Sequence, residues 1–349
     1  MAEQNTSKLY SLNGIWTVYT EDGKPYDMRI PGTLDESNIG HPDTPDNTGA
    51  LKGPDIPKDP LDRLLSEEGL LLSEEEEKEE TVQEKEPIMT RYTRKYSYEG
   101  LVYITRSVTY KEVAGRRLFL EVERARVLHL FIDEAEVPLF MPASLATPWV
   151  FEVTGRLNGT HSVTIISDNS YRGLPYEEIV TSNMASEDTQ TNWNGLLGYV
   201  RLREETEVFV DALDVRPKDN EVEVRVEISA PFPCETAIRI TSPAFTREYV
   251  TKIKIRENFA GFVFDGLKLR EDVKKWDEGE GNLQTVKVEL QNGETKTATF
   301  GVRTFSVDEN YNFTLNGRPI YLRGETNAAV HPDTSYCPMD KLSWTRMFK

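Results

Sequence analysis

Fifty-nine acidic and 41 basic residues, four histidines and two cysteines are the chemistry-bearing side chains of this 349-residue chain. Their spacing excludes more than it offers. His41, His129, His161 and His331 are scattered without His-x-x-x-His spacing, and Cys234 and Cys337 form no Cys-x-x-Cys pair. No metal site and no cofactor is therefore expected. His129 and His161 fall in strand-like runs and read as sheet-face residues. No Gly-x-Ser-x-Gly, P-loop or Gly-x-Gly-x-x-Gly run is present, so the chemistries of those motifs have no support. With so many carboxylates, pairs at acid/base separation arise by chance and carry no weight. The cysteines lie in different expected domains and give no disulfide framework.

The elements that would position any site are strands. Between about residues 9 and 207, Leu118, Leu120 and Val122 alternate with Phe119, Glu121 and Glu123. Leu128, Leu130 and Ile132 alternate in the same way with Val127, His129 and Phe131. Period-two runs between turn signals, with no long amphipathic helix, predict a β-sandwich. A span of that length suits a jelly roll carrying an insertion over 40–92. Residues 208–302 stay β: Glu221 to Ile228 alternates throughout, and about seven strands are expected, the count of an immunoglobulin-like sandwich. From Met339 to Phe348, Trp344 faces Met347 and Phe348 at helical spacing, with Pro338 just before the start.

Charge and termini set further bounds. The formal charge is −18, which disfavours nucleic acid and anionic membranes as partners. Much of it is local, since residues 52–90 hold thirteen acidic against five basic residues. That run reads as a solvated surface excursion. No apolar run approaches the roughly 18 residues of a membrane span. The start, Met1 to Lys8, has neither a basic n-region nor an apolar h-region, so a cytoplasmic location is expected.

Several motifs occur in a telling order. Leu12-Asn13-Gly14-Ile15-Trp16 is followed by Ile30-Pro31-Gly32-Thr33, then Tyr103-Ile104-Thr105-Arg106, then Asn192-Trp193-Asn194-Gly195-Leu196-Leu197-Gly198-Tyr199-Val200, then Trp276. The last is Phe313-Thr314-Leu315-Asn316-Gly317-Arg318-Pro319-Ile320-Tyr321-Leu322-Arg323-Gly324 with His331-Pro332 beyond it. This order resembles the N-terminal portion of glycoside hydrolase family 2, the β-galactosidase and β-glucuronidase-like enzymes, over nearly the whole chain outside the acidic insertion.

The resemblance implies a mainly β fold class. Residues 1–207 would be a galactose-binding-like jelly-roll sugar-binding domain with the acidic insertion 40–92. Residues 208–302 would be an immunoglobulin-like sandwich, and 303–349 the incomplete beginning of a (β/α)₈ barrel with Ile320–Arg323 as its first strand. A full barrel needs about 250 residues. Retaining glycosidases use two carboxyl groups about 5–5.5 Å apart, and in this family both come from later barrel strands. No catalytic residue is therefore expected here, and the 349-residue chain is expected to be inactive alone. Asn220-Glu221 looks like the family's Asn-Glu acid/base pair, but it opens a sandwich strand.

The residues matching the family's substrate contacts are Asp188, Asn192 and Trp193, in a loop reaching the barrel mouth, Arg323 at the end of the first barrel strand, and Asn327 and His331 in the loop after it. Trp193 also suits interdomain packing, and Arg323 a structural salt bridge inside the barrel. Here 325–330 departs from the family's usual V-N-x-H-E. The implied partner is a carbohydrate substrate; a homo-oligomer stays open. The alternative is a non-catalytic carbohydrate-binding β-sandwich protein.

Overall fold

The computed structural model describes residues 7–42, 95–144, 147–170, 193–324, 338 and 340–349. Every strand pairing among them is antiparallel. A six-stranded sheet runs in the order Ala135–Val137, Val127–Ile132, Gly159–Asp168, Leu101–Tyr110, Gly14–Tyr19, Pro25–Ile30. A four-stranded sheet runs Lys8–Ser11, Val200–Thr206, Arg116–Val122, Trp149–Glu152. One core joins them, with Trp16, Val18, Met28 and Ile104 from the first sheet against Leu118, Leu120, Val122 and Leu202 from the second. Burial of each such side chain contributes roughly 1.5–3 kcal/mol. Trp16 keeps its indole satisfied by donating Nε1–H to Leu12 O at 2.9 Å.

A second sandwich follows. Phe209–Pro217, Glu221–Ser229 and Phe259–Lys268 form one sheet; Tyr249–Ile255, Cys234–Thr241, Gln284–Leu290 and Thr295–Phe300 form the other. Val222, Val224, Val226 and Ile228 meet Ile238, Ile240, Val286 and Val288 in a separate core. The alternation of the 221–228 run is thus the pleat of a strand with one dry face.

The Arg116–Val122 strand is buried almost throughout. Leu118, Leu120 and Val122 enter the first core, while Arg117, Phe119 and Glu121 point to the opposite face. That opposite face meets the second sandwich. Phe119, Val150 and Phe209 form a small third core there, with Phe140 and Met141 against it.

Beyond the second sandwich, Phe305–Val307, Phe313–Leu315 and Arg318–Pro319 form a three-stranded sheet. Asn316 and Gly317, at φ 52° and 80°, make the two-residue turn that Asn-Gly favours between antiparallel strands. The strand expected over Ile320–Arg323 is not formed. Ile320 N–H still reaches Phe313 O at 2.9 Å, but no strand follows, and the Tyr321 side chain is 92% exposed. Among the described residues no neighbouring strand lies beside 321–323 to complete a parallel ladder. The C-terminal helix spans Lys341–Met347. Asp340 caps it by accepting from Ser343 N at 2.8 Å, and Trp344 stacks on Phe348 with ring centroids 5.7 Å apart. Trp344 also donates its indole N–H to Pro338 O.

Candidate functional site

The six-stranded sheet ends in a buried polar knot. Ser167 and Asn169 lie at the end of the Gly159–Asp168 strand, and Asn194 precedes the Gly195–Leu196 strand. Ser167 donates to Asn194 Oδ1 at 2.8 Å, and Gly195 N–H donates to the same oxygen at 2.8 Å. Asn194 Nδ2 donates to Gly100 O at 3.0 Å and to Asn169 Oδ1 at 3.1 Å. Asn169 Oδ1 also accepts from Gly100 N–H, and its Nδ2 donates to Tyr98 O. Burying amides and a hydroxyl is tolerable because nearly every donor and acceptor is met.

The knot holds the Pro-Gly turn in place. Gly195 and Leu196 pair with Thr33 and Gly32, and Leu34 N–H donates to Asn194 O at 3.0 Å. Gly195 sits at φ +137°, and a Cβ there would lie 2.4 Å from Gly32 O, so only glycine fits. Thr33 and Glu36 bond reciprocally: Thr33 N–H donates to Glu36 Oε2 at 3.0 Å, and Glu36 N–H to Thr33 Oγ1 at 3.2 Å. One residue back, Asp35 Oδ1 accepts from Lys95 and Tyr96 N–H at 2.9 and 2.8 Å. The stem of the acidic insertion, His41–Pro42 against Tyr96–Ser97, is thereby tied to the same end of the sandwich.

Trp193 stands directly on this knot. The Arg126 guanidinium lies 4.4 Å from its ring centroid, and Arg126 Nε donates to Trp193 O at 3.3 Å. Arg126 itself is buried. A guanidinium in a desolvated place over indole is a strong cation–π contact, so one face of Trp193 is occupied. Nearby, burial pushes the Glu123 carboxyl above the usual carboxylate range, while Arg124 and Arg201 pull it down. The carboxyl lies flat on Gly198, where a Cβ would fall 1.8 Å from Oε2.

The expected contacts are therefore only partly assembled. Trp193 is half-buried at the knot. Asp188, Asn192, Asn327 and His331 lie outside the described residues. Arg323 is exposed, in a stretch without regular structure. Glu221 opens its strand and pairs with Lys268 at 2.7 Å, which accounts for Asn220-Glu221 structurally. Among the described residues no cluster of three or more His, Cys, Asp or Glu side chains is placed to hold a metal ion, and no helix is long and apolar enough to cross a membrane. Arg126, Ser167 and Asn169 were not singled out from sequence. Asn194-Gly195 carried the only local signal, a polar residue before a glycine at a strand start.

Such an arrangement can hold an aromatic ring and backbone amides rigidly beside a ligand. No protein-family model matches the sequence, and neither does any curated protein. Solved structures do match the fold. A β-D-glucuronidase from Dictyoglomus thermophilum aligns with 98% of this chain and 52% of its own length, at 16% identity and TM-score 0.59. A Bacteroides uniformis β-glucuronidase aligns with 98% of this chain and 38% of its own, at 13% identity and TM-score 0.63. A family GH2 β-galacturonidase from Eisenbergiella tayi, bound to galacturonate, aligns over 98% and 51%, at 14% identity and TM-score 0.63. The likeness is one of fold. The chain spans about half the length, or less, of these structures.

Proposed function

We propose that this chain is the N-terminal portion of a retaining family 2 β-glycosidase that hydrolyses β-galactoside- or β-glucuronide-type carbohydrates. The observation that carries the reading is the order of parts along the chain. A sandwich carries the Trp193–Leu196 knot just before its last strand, Val200–Thr206, a second sandwich follows, and the Asn316-Gly317-Arg318-Pro319 hairpin comes after that. Fold likeness over 98% of the chain to β-glucuronidases and a β-galacturonidase supports it. In this reading residues 1–207 are the sugar-binding jelly roll, 208–302 the immunoglobulin-like sandwich and 303–349 the entry to a catalytic barrel.

The chain supplies scaffold and one side of the substrate rim. Trp193, with one ring face held by Arg126, is the aromatic contact proposed, and Asp188, Asn192, Arg323, Asn327 and His331 are the polar contacts proposed around it. The two catalytic carboxyl groups come from the barrel, where they stand about 5–5.5 Å apart as a retaining mechanism requires. The location is proposed to be cytoplasmic.

The test is an assay of the purified 349-residue chain and of its longer reading-frame product on chromogenic β-glucuronides, β-galacturonides and β-galactosides. The longer protein is expected to turn over one of them with retention of configuration, read by NMR of the first-formed anomer, and the 349-residue chain none. Turnover by the shorter chain above a mock preparation, or an inverted product from the longer one, rejects the reading.

A further inference from the structure

The face between the two sandwiches is crowded with charge, and one group in it takes part in no ion pair among the described residues. Arg203 bonds Glu121 at 2.5 Å and Glu205 at 2.9 Å and lies 3.5 Å from Asp211. Arg201 takes the other Glu121 oxygen at 2.7 Å. Glu294 sits in the turn before the Thr295–Phe300 strand, only 5% exposed, with Glu205 as a charged neighbour. Its carboxyl accepts one long bond, from Val210 N–H at 3.3 Å. The nearby cation, Lys296, donates instead to the carbonyls of Val210 and Asp211. Among the described residues no ion pair reaches Glu294.

We propose that Glu294 is a proton-operated latch of this joint: protonated, it lets the start of the Phe209–Pro217 strand seat against the first sandwich, and ionised, it loosens that contact. The charged groups that act on it are Glu205 from the Val200–Thr206 strand and Lys296 from the Thr295–Phe300 strand, while the Asp211 carboxyl of Phe209–Pro217 turns to Arg203. The Asn292 amide, which donates to Val208 O at 2.8 Å, closes the turn beneath. Ionised, Glu294 adds a negative charge beside Glu205 that Lys296, committed to the Val210 and Asp211 carbonyls, only partly offsets, and Val210 N–H offers one weak bond in return.

The acid–base balance follows the same geometry. Burial is the main cause that pushes the Glu294 carboxyl up, to about 7; Glu205 adds to the rise, and Val210 N–H and Lys296 oppose it. A carboxyl raised in the folded state binds its proton more tightly folded than unfolded. The share of stability that Glu294 contributes is therefore complete below the ordinary carboxylate value of 4.5 and is lost as pH climbs through about 7.

Equilibrium unfolding of the 349-residue chain and of Glu294→Gln at pH 5.5 and pH 8 tests this, with amide exchange at Val210 and Asp211 as the local readout. Glutamine mimics the protonated acid. Linkage predicts that the unfolding constant of the original protein rises by on the order of tenfold more than that of E294Q across this window. Protection at Val210, corrected for the intrinsic rate, should fall in the original and hold in E294Q. Parallel pH dependence in the two proteins, or constant Val210 protection in the original, overturns the proposal. Should E294Q not fold, Glu205→Gln serves instead. Removing that charge must move the transition of the original protein to lower pH, and an unmoved transition overturns the latch equally.

Discussion

Gly195 and Val224 bear weight for opposite reasons, one because nothing can be added and the other because nothing polar can be. At Gly195 a Cβ would press on Gly32 O at 2.4 Å and Thr33 Cα at 2.8 Å, at a φ of +137°. Gly195→Ala should cost at least the roughly 1–3 kcal/mol of a strained backbone position, seen as a lower urea midpoint with an unchanged slope. Val224 is 0% exposed in the second core. Val224→Asp buries a carboxylate with no partner there, a cost of several kcal/mol by comparison with broken buried pairs, and should unfold that sandwich; an unchanged melting temperature would contradict the face assignment. Val224 was legible because strand periodicity is written locally. Trp193 was legible as an aromatic beside Asn-Gly, but its partner was not. Arg126 lies 67 residues away in sequence, and no spacing rule connects a guanidinium to an indole across a sandwich.

The Val127–Ile132 and Ala135–Val137 strands turn through Asp133 and Glu134, both at positive φ, where Asn-Gly would be the easier choice. Asp133 makes the turn hold by accepting from Ser162 N–H at 2.8 Å and pairing with His161 Nδ1. The hydrogen bond to Asp133 raises the His161 pKa above 6.5, and the same bond holds Asp133 below 3.8. The signs differ. The histidine's share of stability is complete below pH 6.5 and is lost as pH rises through its raised folded value. The aspartate's share is complete above pH 3.8 and is lost as pH falls through its lowered one. His161→Ala should therefore melt below the original protein at pH 5, with the gap closing by pH 9. A gap independent of pH would mean that the ion pair contributes nothing.

The hairpin from Phe305 to Pro319 depends on Trp276 in a comparable way. Trp276 N–H donates to Val302 O at 2.8 Å, Asn316 Nδ2 donates to Trp276 O at 2.9 Å, and the Trp276 side chain packs so tightly on Gly301 that a Cβ there would sit 2.7 Å from its Cβ and 2.8 Å from its Cγ. Arg303 covers the ring, and Arg318 pairs with Asp277 and Glu278. Trp276→Ala should speed amide exchange throughout 305–319 by at least tenfold while leaving Glu221–Ser229 protected; equal protection of the hairpin in the variant would remove Trp276 from this role. Asn316-Gly317 is the dipeptide that such a turn favours. The strand expected over Ile320–Arg323 was not formed, because a strand needs neighbours as well as propensity, and none stands beside 321–323 among the described residues.

Over the whole molecule, the two cores were readable from alternation, while the face that joins them was not. Phe119 and Glu121 read as the half of a strand that alternates with Leu118 and Leu120, and only the fold shows that this half is also covered. Arg117 is the centre of that cover. It is 3% exposed and bonds both Glu152 oxygens at 2.8 Å. It donates to Ser229 Oγ of the second sandwich at 2.8 Å, and its guanidinium lies 5.0–5.5 Å from the rings of Phe119, Phe140 and Phe209. Burial pushes Glu152 up, yet its bonds to Arg117 outweigh that and leave its pKa lowered, so the pair is ionised at neutral pH. Breaking a fully buried pair by removing one partner typically costs about 3–5 kcal/mol; with the Glu152 side chain 31% exposed the cost here is smaller, and part of it falls on the contact between sandwiches. Arg117→Ala should do more than lower stability. In calorimetry the original chain is expected to unfold its two sandwiches together, and the variant to show two separated transitions, because each sandwich keeps its own core when the joint is gone. Variant and original unfolding with the same single transition would show that the aromatic contacts couple the sandwiches without the arginine.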